Sequence, residues 1–413
     1  MIPQGDKLIL RELAKLHVEL NHQDVNKERI ARIRNTNGLV PVRPIVWIEE
    51  IPWQQMNIDG LLTHTCESEE ARKIENHFRR ILLRWQYFQA DMVVEDAYYI
   101  PKAVSDTGTG AQIREDTLSA GDNSHILSHH YEDQLDTEEK VDVLRLPIIK
   151  ARPETDKKNL EIAEDIFGGV IPVRLRGHGI YYAPWDEISM LRGVEPILID
   201  MMERPEFLHK TIEKFTAIGL ARYEQMEAEG LLDYNSQSLH CTPPHSNELP
   251  ASDYDGSKVR LKDIWFRGMA QIFSTVSPAM HDEFDLQYMR RLMDKCGLSY
   301  YGCCEPLNRM IPYLKKIPNM RKIGVSPWAD IRSCTEQIGR DYVVASKPNP
   351  AFVAINFNAD TVRKEIAEII EACLAHGCPY EFVLKDISTV SNKPQNIIYW
   401  NKTVQETIDH YYN

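Results

Sequence analysis

MRKIGVSPWADIRSCTEQIGRDYVVASKPNP (320–350) decides the fold. MRKIGVSP (320–327) is a short apolar run closed by proline and reads as a buried strand. WADIRSCTEQIG (328–339) reads as a helix stopped by glycine, and YVVASKPNP (342–350) as a second strand. A strand, a connecting helix and another strand make the parallel crossover unit. The alternation continues in both directions. Toward the C-terminus, ADTVRKEIAEIIEACLAHG (359–377) is a helix, YEFVLKDIS (380–388) a strand and NIIYWNKTVQETIDHYY (396–412) the last helix. Toward the N-terminus, LSYYGCCEP (298–306), LLDYNSQSLHC (231–241), GGVIPVRLRGHG (168–179), DMVVEDAYYI (91–100) and VRPIVWIEEIPW (42–53) read as strands. Helices such as SPAMHDEFDLQYMRRLMDKCG (277–297) and PEFLHKTIEKFTAIGLARYEQMEAEG (205–230) lie between them. Eight strands, near 45, 94, 173, 235, 300, 323, 343 and 382, alternate with helices. The expected class is therefore α/β, as a (β/α)8 TIM barrel over 41–413. Residues 1–40 are expected as an N-terminal helical extension, helical over 7–34 and broken at NTNG (35–38). The polar, weakly periodic residues 101–142 form a long insertion after the second strand, a lid or arm as readily as a plain surface insertion. The Met and aromatic residues of IWFRGMAQIF (264–273) read as packing and not as a cofactor box, with Trp265 and Arg267 placed to border the mouth.

Lys and Arg number 48 and Asp and Glu 61 in 413 residues, a net charge of −13. An acidic surface repels phosphate backbones, which excludes general nucleic-acid binding and leaves a small molecule as the expected substrate. No apolar run approaches the roughly 20 residues of a membrane span, so no membrane partner is expected. The N-terminus lacks the basic head and apolar centre of a signal peptide, which predicts a cytoplasmic address. The eight cysteines include no CxxC pair and are expected as thiols. No G-x-G-x-x-G follows a strand and no P-loop motif occurs, so dinucleotide and NTP sites lack support.

Chemistry in a barrel of parallel strands sits where the strands end. The strand-end residues here include Glu49, Glu50 and Trp53; Glu95 and Asp96; Arg176, His178 and Tyr181; Ser238, His240 and Cys241; Tyr301, Cys303, Cys304 and Glu305; Lys347; and Lys385 and Asp386. Alternation along a strand puts Tyr301, Cys303 and Glu305 on one side and Cys304 on the other. Thiolate and carboxylate at i, i+2 suit one cation, with His240 and Asp386 completing a divalent metal site, zinc first. The competing reading packs both cysteines as small apolar residues and bonds Glu305 to an arginine. His240 and Cys241, adjacent on a strand, face opposite ways and make a poor nucleophile–base pair. In RLRGHGIYYAPWDE (174–187), Gly177 and Gly179 permit close approach of a ligand, and Arg174, Arg176 and His178 suit a carboxylate. The pairs Glu49–Glu50 and Glu95–Asp96 hold a proton through mutual repulsion, or are capped by arginine.

Three stretches carry a family likeness: WDEISMLRGVEPILIDMMERPEFLHKTIEKFT (185–216), SPAMHDEFDLQYMRRLMDKCGLSYYGCCEPL (277–307) and KDISTVSNKPQNI (385–397). Over roughly 160–410 the chain resembles the uroporphyrinogen decarboxylase superfamily, and more narrowly its methylcobalamin-dependent methyltransferases. The resemblance implies a (β/α)8 enzyme moving a methyl group, with a corrinoid or folate-like carrier brought by a partner such as a corrinoid protein. A homodimer is implied as well. Those methyltransferases bind zinc through a His, a Cys two residues on and a late Cys. Here these positions are Tyr301, Cys303 and Asp386, so one ligand of three is kept, and Cys304, Glu305 and His240 are the substitutes. In this reading His240, Cys303, Glu305 and Asp386 hold the metal, Glu49, Glu95, Asp96 and Tyr301 are catalytic, and Trp53, Arg176, His178, Tyr181 and Lys347 hold substrate. Two alternatives accompany it. One is a metal-free lyase decarboxylating a small acid or porphyrin-like compound, although the acidic Glu49–Glu50 loop replaces the arginines of the decarboxylase. The other is a non-catalytic corrinoid-binding protein.

Overall fold

A computed structural model describes residues 2–119, 127–235 and 239–412. Ser238 and the centre of the 101–142 insertion lie outside the described residues. The strands are β1 (Ile45–Ile48), β2 (Tyr98–Pro101), β3 (Val104–Asp106), β4 (Glu115–Ser119), β5 (Leu127–Tyr131), β6 (Ile149–Ala151), β7 (Val173–Arg176), β8 (Trp265–Gly268), β9 (Leu298–Tyr301), β10 (Met320–Val325), β11 (Val343–Ser346) and β12 (Tyr380–Leu384). Six form one parallel sheet in the order β1-β12-β11-β10-β9-β8. The register pairs Trp47 with Val383 and Val325 with Ser346. Helices cover the outer face. The helix Ala359–His376 starts where the Asn358 side chain accepts from Thr361 N–H and ends at left-handed Gly377. Its Val362, Ile366, Ile369, Ile370 and Cys373 are buried at helical spacing, each large aliphatic contributing about 1.5–3 kcal/mol.

The ladders among the described residues do not show the expected ring of eight. β2 and β7 form a separate parallel pair, and isolated bridges join His178 to Leu232 and Tyr182 to Gly268. The strand expected near 94 is replaced by side-chain bonding. Asp91 gives its N–H to Val46 and its carboxylate takes the Val46 N–H. Asn21 and Asn26 then occupy both backbone groups of Val94, and Arg29 takes the Met92 carbonyl. With those groups satisfied by the N-terminal helices, no strand partner is needed. Those helices are two, Gln4–Asn21 and Val25–Asn37, rather than one. β8 falls inside the segment read as mere packing, because Arg267 at its centre hides the strand pattern.

Among the described residues of 231–241 no strand forms either, only the isolated bridge at Leu232. Past Leu232 the Asp233 carboxylate turns the chain by accepting from Gly177 and Asn235. Residues 239–248 then run along the inner side of the sheet. Cys241 packs with Trp47 and Val383, Thr242 meets Lys322 and Glu381, Pro244 O accepts from Trp265 Nε1, and His245 O accepts from Asn37. In the insertion, β3 pairs antiparallel with β6 and β4 with β5. Its base is docked: Asp133 pairs with Arg192, and Lys210 reaches Glu138 and Asp142.

Candidate active site at the carboxyl end of the sheet

Three strand ends meet at one rim. Lys385 follows β12, Glu50 follows β1 and Cys303 follows β9. The Lys385 side chain is 3% exposed, and its Nζ donates to Cys303 Sγ at 2.9 Å. The same Nζ lies 3.1 Å from Asp386 Oδ2 and 3.9 Å from Glu50 Oε2. Gly302, at φ 100°, breaks the strand alternation. Both thiols therefore reach the same side, 3.7 Å apart, with Cys304 Sγ 3.1 Å from Asp386 Oδ2.

The electrostatics follow from this packing. The Cys304 thiol, donating toward Cys303, holds the Cys303 thiol far below its ordinary range; burial opposes this, and His240, Lys347 and Arg267 assist. The same contact, with burial, pushes Cys304 up, so the pair keeps one proton, on Cys304. Burial works against the Lys385 ammonium, but the sulfur charge of Cys303 holds it protonated. Burial and then Asp386 push Glu50 up. Asp386 stays low against its burial because Glu50 and Lys385 stabilise its charge.

Strain concentrates here. Glu50, His240, Cys241 and Asp386 have φ of 50°, 46°, 81° and 56°, a region that non-glycine residues seldom enter. Such residues cost about 1–3 kcal/mol each and persist where surrounding contacts over-determine them. His240 and Cys241 are thus not on alternating faces. With Glu50 they bring one ligand atom each within 4.8 Å of one another. Nitrogen, sulfur and oxygen donors together suit zinc. Of the four expected ligands only His240 belongs to this group: Cys303 is bonded to Lys385, and Asp386 is engaged by Lys385 and Cys304. Glu305 is turned inward and 1% exposed, accepting from the backbone N–H of Cys303 at 2.9 Å and of Ala270 at 3.4 Å.

The other expected residues fall in several places. Tyr301 is fully buried on the outer side of β9; its hydroxyl donates to Asp285 Oδ2 at 2.7 Å and accepts from His281 Nε2 at 2.6 Å. Lys347 is 3% exposed and donates to the Tyr300 hydroxyl at 3.1 Å, so it lies beneath the thiolate instead of facing solvent. Arg267 joins it there, 4.0 Å over the Tyr300 ring. Tyr181 is at the rim, its ring edge-on to His240 at 4.8 Å. His178 is bonded to the Lys102 carbonyl, and Trp53 lies under the Arg80 guanidinium, both away from the thiols. Gly177 permits a close approach, but of the chain itself: a Cβ there would sit 2.5 Å from Leu232 O.

Glu49, Glu95, Asp96 and Arg176 line a separate cavity of about 530 Å³, with Trp47 in its wall. Arginine caps both acids, Arg176 on Glu95 at 2.7 Å and Arg174 on Asp96 at 2.6 Å. Sequence reasoning missed Asp186, whose carboxyl burial pushes up to about 6 against a bond from Gln271. The only available signal was an acid in the first turn after Pro184.

No family model matches the chain, and no curated protein matches it. Among solved structures, a methyltransferase from Methanosarcina mazei aligns over 93% of this chain and 99% of its own, at a TM-score of 0.48 and 11% identity. No helix among the described residues is long and apolar enough to cross a membrane.

Proposed function

We propose that the chain is an enzyme transferring a methyl group to a thiol at the Cys303–Lys385 rim. The observation that carries this reading is the buried ammonium 2.9 Å from one sulfur, with a second sulfur 3.7 Å from the first. A thiolate, not a thiol, is the form that attacks carbon or binds a cation. The methyl carbon leaves its carrier without the bonding electron pair and bonds to sulfur, which loses its negative charge. A corrinoid or folate-like carrier on a partner protein suits this chemistry, since neither is built from the chain's own residues.

A zinc ion would be held by Glu50, His240 and Cys241, and would supply charge that favours ionisation of an incoming thiol. The chain's own groups do the rest. Lys385 stabilises anionic sulfur at the rim, and Arg267 and Lys347 add positive charge below it. Without the ion Glu50 holds a proton beside Asp386, and binding of the ion would displace it. Tyr181, 44% exposed, forms the solvent side of the opening.

Metal analysis with methylcobalamin spectroscopy tests the proposal. About one zinc per chain, lost in His240→Ala, and demethylation of methylcobalamin in the presence of 2-mercaptoethanol are expected. Absence of any transition metal, with a spectrum unchanged across simple thiols, would overturn it.

A further inference from the structure

Arg84, on the helix Glu69–Tyr87, reaches the cavity that holds Glu49 and Glu95. A guanidinium has five N–H donors. Among the described residues Arg84 places one bond, Nη2 to the Ile48 carbonyl at 3.1 Å, and its Nε is buried without a partner. No carboxylate lies within ion-pair distance of it among those residues; Glu49 acts on it only at longer range. Arg176 Nε in the same cavity is likewise buried and unpartnered, its guanidinium 3.5 Å over the Tyr99 ring. Arg34, exposed at the cavity edge, has no carboxylate partner among the described residues.

Charge separates this cavity from the rest of the surface. Arg174 and Arg176 are neutralised by Asp96 and Glu95, which leaves Arg34 and Arg84 against Glu49. The balance is positive in a chain of net charge −13. A buried cation with unused donors is costly unless an anion meets it. At about 530 Å³ the space is that of a small-molecule site.

We infer that this cavity is a binding site for a small molecule bearing a carboxylate or phosphate, with the oxyanion held by Arg84 and drawn in by Arg34. The N-terminal helices thereby acquire a role, since Asn21, Ile30 and Arg34 form one wall. The site is distinct from the thiol rim and does not depend on methyl transfer; the descending segment through Cys241 and His245 lies between the two. Trp47 touches both, lining the cavity and packing on Cys241. Occupancy has a direct route to the rim through that side chain.

Calorimetric titration of the full chain with citrate and with inorganic phosphate tests the inference and separates the two anion chemistries. Binding of at least one, at one per chain, is expected. Affinity should fall about tenfold or more in Arg84→Gln and severalfold in Arg34→Gln, and remain unchanged in Cys303→Ser. Arg34 is exposed, so its variant keeps the test open should Arg84→Gln fail to fold. No binding of either anion at millimolar concentration, or equal affinity in wild type and folded variants, would overturn the inference.

Discussion

Lys385 and Cys303 are 82 positions apart and meet at 2.9 Å. Both were visible as strand-end residues, because the periodicity located the ends of β9 and β12. The finer geometry was not legible. Alternation put Tyr301, Cys303 and Glu305 on one face, but Gly302 takes a positive φ and the pattern stops there. Cys304 consequently joins Cys303, while Glu305 turns to backbone donors. Asp186 makes a prediction at this scale. Its folded pKa of about 6 exceeds the roughly 3.9 of a free aspartate, so the folded state binds more protons between those values. Stability therefore falls as pH rises through that window, and the deficit persists above it. Asp186→Asn should be about 2–3 kcal/mol more stable than wild type at pH 7 and about equal near pH 3. Urea denaturation at both values checks this; an equal difference at both would refute it.

The segment 239–248 and the strands it crosses show where element-scale reading ended. Val343–Ser346 and Tyr380–Leu384 are buried along their whole length and were found as apolar runs. The interior facing the descending segment is not apolar. Lys322, fully buried, donates to both Glu381 oxygens at 2.9 Å and to Thr242 at 2.8 Å. No local pattern announces such a contact, since the three residues come from distant parts of the chain. Breaking a buried pair leaves an uncompensated charge and costs about 3–5 kcal/mol. Lys322→Met should lose stability of that order, and Lys322→Met with Glu381→Leu should recover much of it. A thermal melt of the single and double variants decides; a harmless single variant would mean that the pair does not anchor the segment.

For the whole molecule, the chain pattern gave an α/β architecture with a parallel sheet, and the sheet has six strands. The remaining members of the expected ring were lost because helix side chains, and not strands, satisfy the backbone near 94, and because Asp233 turns the chain after Leu232. Acidic composition likewise concealed local positive charge. Arg267, Lys347 and Lys385 gather under and beside one sulfur although the net charge is −13. That concentration should be measurable as the ionisation of Cys303 itself, which is buried like the six cysteines outside the rim pair and differs from them in its charged surroundings, not in exposure. The most direct measurement is the iodoacetamide alkylation rate of Cys303, read by peptide mass spectrometry across about pH 5.5 to 8.5. In wild type the rate should be nearly flat with pH, and in Cys304→Ala, which removes the largest cause of the lowered ionisation, it should climb as the thiol ionises toward the ordinary value of about 8.5. A wild-type rate that climbs in the same way as the variant's would contradict a thiolate held at this rim.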